Sequence, residues 1–176
     1  MSATERLRQR ITEVVEQKIA VLRSWGIVIE GSGLSWKYGN EIIFQMQFWR
    51  QRGGGTLQTR WFTYDFQWGM LVAKKRSCAK IKKVIEEISK VLYNLTRDII
   101  IEEFHRQHGI GRFYKTGRLL LLDELVLSFE LSPEDFSWKF VLKGKEFWKV
   151  IAEGKQSQSP LEAFRQVAAA CALETL

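Results

Sequence analysis

The two histidines of the chain fall together in Glu102-Glu-Phe-His105-Arg-Gln-His108. A spacing of three puts Glu102, His105 and His108 on one face of a helix, and a Glu-x-x-His unit supplies half of a di-metal carboxylate site. The other half needs a second such unit, and the sequence holds none, so the segment reads as a solvated helix end. Cys78 follows Lys74-Lys75-Arg76 at an expected helix start, where cations and the helix dipole lower a thiol pKa. It has no base close to it in sequence, because both histidines lie about a helix length away. Asp65, Asp123, Glu124 and Glu130 are carboxylates a nuclease-like cluster would draw on, but none has a lysine at the short spacing such clusters use. There is no phosphate loop, dinucleotide fingerprint, paired-cysteine metal motif or nucleophile elbow. Accordingly no catalytic residue, metal or cofactor is expected.

What remains is a concentration of cations and tryptophans. Residues 50–83 hold nine basic side chains against Asp65 alone, in a chain whose whole net charge is +7. All the excess charge therefore sits in this stretch, and a field of that kind attracts polyanions. Exposed aromatic rings stack on bases while Arg and Lys neutralise phosphates. The expected binding residues are Trp49, Arg50, Arg52, Arg60, Trp61, Lys74, Lys75, Arg76, Lys80 and Lys83. The leading expectation is a non-enzymatic nucleic-acid-binding or accessory protein. The alternative is an interaction or assembly factor that uses the tryptophans as anchors against an acidic protein partner. An enzyme ranks third.

These residues must be positioned by a long hairpin. Two aromatic-rich runs, from Glu41 to Arg52 and from Thr56 to Met70, flank Gly53, Gly54 and Gly55, which signals a β-hairpin. A three-residue loop pairs Phe44 with Tyr64, Met46 with Phe62 and Ile42 with Phe66 on an apolar face. It pairs Gln45 with Thr63, Gln47 with Trp61 and Trp49 with Thr59 on a polar one. Whether a helix covers the polar face is left open, as is the side on which Trp36 falls.

Around the hairpin, residues 3–24 carry an amphipathic pattern through Leu7, Ile11, Val14, Val15 and Leu22. Ser2 and Glu5 have capping-box spacing, and Gly26 serves as a stop. Residues 25–37 read as a strand broken at Gly31-Ser-Gly33. From Ser77 the period becomes helical through Ile81, Val84, Ile88, Leu92, Leu95 and Ile99, giving a central helix over about 77–101. Arg76, Lys83, Lys90 and Arg97 form a stripe opposite the apolar one. Continued further, that helix would turn Glu102 and Glu103 inward, which is costly unless they are paired; Gly109 is the last stop. The later half of 118–131 alternates as a strand. Residues 133–152 favour one helical turn and a second hairpin, and Ser159-Pro160-Leu-Glu162 opens a C-terminal helix with Cys171 on its buried face. Ser35-Trp-Lys-Tyr echoes Ser137-Trp-Lys-Phe, and Phe48-Trp-Arg echoes Phe147-Trp-Lys, a hint of duplication.

The expected fold is α+β: a single domain over 1–176, with an antiparallel sheet built on the hairpin at about 41–72 and packed by N-terminal, central and C-terminal helices. Apolar content of 45% and charge of 27% are ordinary for a globular chain that can bury a core. The first residues lack the apolar stretch of a signal peptide, and no run approaches the ~18 apolar residues of a membrane span. A cytoplasmic protein with reduced cysteines and no membrane partner follows as the expectation.

The order helix, three strands, helix over about residues 3–95, with Ala73-Lys-Lys-Arg76 and Ala79-Lys80 at the second helix, resembles the arrangement of the double-stranded RNA-binding domain. That family grips phosphates with a lysine cluster at this helix start. Here the strands and the second helix are longer and the family's loop motifs are absent, so the likeness is one of arrangement and not of kinship.

Overall fold

The computed structural model describes residues 2–50, 57–77 and 80–176. In chain order these form α1 (Ala3–Ser24), β1 (Ile29–Ser32), β2 (Ser35–Tyr38), β3 (Glu41–Arg50), β4 (Leu57–Asp65) and β5 (Met70–Ser77). Then come α2 (Ile81–His108), β6 (Arg112–Lys115), β7 (Arg118–Leu120), β8 (Val126–Leu131), β9 (Trp138–Lys143), β10 (Trp148–Gly154) and α3 (Phe164–Glu174). The fold is α+β and its sheets are antiparallel. There are two of them, ordered β1-β2-β3-β4-β5 and β10-β9-β8-β7-β6. The chain clusters into two compact units, Met1–Arg23 with Ile27–Leu95 and Ser24–Gly26 with Thr96–Leu176. Five strands, not three, separate α1 from α2, so the double-stranded RNA-binding arrangement does not hold. None of the described helices is long and apolar enough to cross a membrane.

In the first unit the capping box forms as its spacing predicts. The Ser2 amide donates to Glu5 Oε2 at 2.9 Å, and the Glu5 amide donates to Ser2 Oγ at 3.1 Å. Both otherwise orphaned donors of the helix start are thereby satisfied. Leu7, Ile11, Val15, Ile19 and Leu22 are buried at helical spacing, and Gly26 ends the helix with φ 95°. The segment expected as one broken strand is the hairpin of β1 and β2, turned at Gly33 with φ 61°. Trp36 is buried, and its indole Nε1 donates to Glu16 Oε1 on α1 at 3.0 Å. A register shift between β2 and β3 leaves Ile43 as the extra residue of a bulge. Ile43 and Phe44 are consequently both buried.

The central hairpin forms, but its register is one residue from the expected one. The pairs are Phe44 with Thr63, Met46 with Trp61, Phe48 with Thr59 and Arg50 with Leu57. Residues 51–56, including the glycines of the expected turn, lie outside the described residues. An even number of residues intervenes between Arg50 and Leu57, which turns every β4 side chain over relative to a three-residue loop. Thr59 is buried opposite Phe48 and Trp61 opposite Met46, while Phe62 and Tyr64 point to the opposite face. This register keeps Arg60 off the buried face, where an unpaired guanidinium would be costly, and buries a full tryptophan in its place.

The helix expected from about 77 begins at Ile81, because residues 70–77 pair with β4 along their whole length as β5. Lys74 and Lys75 therefore lie on the two faces of a strand and do not open a helix. Arg76 likewise leaves the α2 stripe. Ile81, counted on the apolar stripe, is 39% exposed. At its other end α2 runs past Ile101 to His108. Glu103 does turn inward, to 7% exposure, but it is paired. Arg106 Nη2 lies 2.5 Å and Gln107 Nε2 3.1 Å from its Oε1. Gly109, with φ 63°, ends the helix by donating its amide to the His105 carbonyl at 2.7 Å.

The second unit packs an aromatic core. Phe104, Phe129, Trp138, Phe140 and Phe164 are buried, with the Phe104 and Phe164 rings edge to face at 5.4 Å. Residues 133–152 hold one turn and then the β9–β10 hairpin. Ser159 caps the turn at Pro160 by accepting from the Leu161 amide, and it donates its hydroxyl to the Trp25 carbonyl at 2.8 Å. The sequence echoes fall on β2 and β9 and on β3 and β10. Those strands hold different positions in the two meanders. What repeats is the architecture, a helix followed by five antiparallel strands, and not the motif.

Candidate binding face on the first sheet

Strand alternation sorts the side chains of β3, β4 and β5 onto two faces. One carries Phe44, Met46, Thr59 and Trp61, all buried, and continues on β5 with the exposed Val72 and Lys74. The other carries Gln45, Gln47 and Trp49 from β3, Arg60, Phe62 and Tyr64 from β4, and Leu71, Ala73 and Lys75 from β5. Each of these is at least partly exposed. Every described side chain of the Trp49 face is thus at least partly exposed, and Trp61 is not on that face.

On the exposed face the strands bring Gln47, Arg60 and Lys75 into one cross-strand row, Arg60 standing directly opposite Lys75. The Arg60 guanidinium lies over the Trp49 ring, 5.5 Å from its centroid, and Arg60 Nε makes no hydrogen bond. The next row holds Phe62. Beyond it stands Tyr64, whose ring packs edge to face on Phe66 at 4.9 Å. From Trp49 to Tyr64 the aromatic rows extend about 20 Å along the strands. No carboxylate projects from this face on β3, β4 or β5. The acid of the same face, Glu30, is on β1 and stands opposite Lys37.

Of the expected binding residues, Trp49, Arg60 and Lys75 share this face. Trp61 is on the buried face with Lys74, whose Nζ is 6.0 Å above the Trp61 ring. Arg50, at the end of β3, pairs with Leu57. Lys80 and Lys83 are exposed just before and within the first turn of α2. Arg52, Cys78 and the side chain of Arg76 lie outside the described residues. Sequence reasoning missed Phe62 and Tyr64 as open-face rings. The signal that would have found them is the charge at Arg60, which belongs on the solvated side and carries its i+2 and i+4 neighbours with it.

Both histidines of α2 have packing or hydrogen-bond partners. His105 Nδ1 is 2.9 Å from the Ile110 carbonyl, and His108 packs on Phe104 and Phe164. No group of three His, Cys, Asp or Glu among the described residues could hold a metal ion. In the second unit an open groove of about 600 Å³ is lined by Glu130, Trp138, Lys139 and Glu153. Glu130 pairs with Lys139 there at 3.4 Å. No protein-family model, curated protein or solved structure matches this chain.

Proposed function

We propose that the chain binds single-stranded nucleic acid on the open face of β3–β5. One observation carries the reading. Arg60 and Lys75 are direct cross-strand neighbours on strands that bear no carboxylate on that face. Like charges directly opposite are destabilising, and a phosphate between them would turn that repulsion into attraction. Trp49, Phe62 and Tyr64 lie along the same strands as a stacking platform that takes any base by its π-face. A half-solvated sheet face with exposed rings offers stacking to unpaired bases, which a duplex keeps inside its own stack.

The test is fluorescence anisotropy of labelled oligo(dT) and oligo(U), with duplex DNA and RNA as comparators, across a salt series. Single strands should bind more tightly than duplex. Each phosphate neutralised should contribute a slope of about −0.7 in log K against log salt. Replacing Arg60 and Lys75 by glutamine should flatten the slope by about 1.4. Absence of binding at low salt, or a double variant that binds with unchanged slope, refutes the reading.

A further inference from the structure

We propose that the open edge of β5 takes an extended acidic segment of a partner protein as a sixth strand of the first sheet. β5 is the last strand of its sheet and, among the described residues, pairs with β4 alone, in an unbroken ladder from Asp65–Met70 to Gln58–Ser77. Residues 70–75 are all exposed. An unpaired edge presents alternate N–H and C=O groups in a row, which is the template for strand addition.

The other edge strands are shorter or interrupted. β1 and β6 have four residues each. β10 is bulged between Val150 and Ala152, and the carbonyl of the intervening Ile151 already accepts from Gln166 Nε2 of α3 at 2.8 Å. β5 has eight residues and no bulge against its neighbour.

The side chains specify the occupant. Met70, Leu71 and Val72 are 56, 36 and 45% exposed, and Trp68, at the turn before them, is 71% exposed. Lys74 and Lys75 follow on opposite faces, and the strand has no acid. A segment laid along β5 would meet lysine ammonium groups on both faces at one end and apolar side chains at the other. The matching sequence is a run of acidic residues beside a run of apolar ones, about eight residues in all. Lysines that merely guarded an edge against aggregation would not leave the other half of the strand apolar and bare. A second copy of this chain fits poorly. Two-fold antiparallel pairing of β5 with itself keeps opposed residues on one face, so it sets Lys74 against Val72 and Lys75 against Leu71 with no anion, between chains of charge +7 each. This surface is the strand's main-chain edge, so it goes beyond the nucleic-acid reading and does not depend on it.

The experiment titrates the full chain into a fluorescein-labelled peptide of about ten residues, four glutamates joined to alternating valine and threonine, and reads anisotropy. Saturable binding is expected. It should weaken about tenfold or more in the Lys74→Glu, Lys75→Glu variant and when lysines replace the peptide's glutamates. Binding should be lost when alternate amides of the peptide are N-methylated, which blocks strand addition without altering charge. The variants change exposed residues, and unaltered thermal unfolding verifies their fold. Three results would overturn the proposal: no binding, equal binding of the N-methylated peptide, or a dimer on sedimentation that Val72→Lys dissociates, which assigns the edge to a second copy. Absence of oligo(dT) binding by the unaltered chain, with peptide binding intact, would refute the nucleic-acid reading alone.

Discussion

The Arg60 guanidinium lies over the Trp49 ring at 5.5 Å, across the boundary between β3 and β4. The contact keeps the Arg60 guanidinium against the Trp49 ring on the open face, opposite Lys75, with its buried Nε unbonded. A guanidinium held this way has already lost much of its side-chain freedom, so less ordering would remain for the proposed docking of a phosphate.

Trp49→Ala and Phe62→Ala should each weaken oligo(dT) binding by about 1–3 kcal/mol and leave thermal stability nearly unchanged. Trp61→Ala should do the reverse. Its ring is fully buried opposite Met46, so truncation should cost about 3–5 kcal/mol of stability. Paired anisotropy and thermal-melt measurements separate the two faces. Strong loss of binding in a folded Trp61→Ala protein would contradict the observed register.

Glu16 joins α1 to the first sheet through Trp36 Nε1 and is paired with Arg23. Burial pushes its pKa up, but hydrogen bonds from Arg23 and Trp36 and the Arg23 charge outweigh that, leaving it below the usual value of 4.5. The stability it contributes is present above the unfolded pKa and is lost as pH falls through the lowered folded one. Wild type should therefore melt above Glu16→Gln at pH 7, and the gap should close in acid. The gap should be under about 1 kcal/mol, because both partners are over a third exposed.

Glu102 has the opposite sign. Desolvation raises its pKa, with Glu103 adding to the shift and His105 and Arg106 opposing it. A raised carboxyl pKa favours folding most when the group is protonated, and that advantage is lost as pH rises through the folded pKa. Glu102→Gln should accordingly raise the melting temperature at pH 7 and change it little at pH 4. An equal shift at both pH values would show that the glutamate's charge is not what matters.

Burial pushes the Cys171 thiol up to about 11, and its side chain is fully enclosed. In a Cys78→Ser background the native protein should react slowly with a thiol reagent at pH 8, and denaturant should bring the reaction to completion within minutes. Rapid labelling of the native chain would place Cys171 at the surface.

Locally encoded features were legible in the residue order. The capping box of Ser2 and Glu5, the stop at Gly26, the apolar stripe of α2, the second hairpin and the Ser159 cap each depend on neighbours within one or two turns. The concentration of cations between residues 50 and 83 was equally plain. The make-up of the candidate face was half legible: Trp49, Arg60 and Lys75 were named and share it, while Phe62 and Tyr64 were placed on the other face.

Tertiary structure decided the rest, and the reason is parity. A strand side chain returns to the same face every second residue, so a loop longer or shorter by one turns over the whole strand. Nothing local distinguishes Trp61 inside from Phe62 inside. The choice falls to the combined cost of burying Arg60 and gain of burying Trp61 against Met46. The assignment of Lys74 and Lys75 to β5 is likewise non-local, because pairing with β4 overrides the weak helical preference of that stretch. Amino-acid order alone determined that these cations cluster. Which face they line, and that one edge of their sheet stays open, followed from the register of strands brought together across the fold.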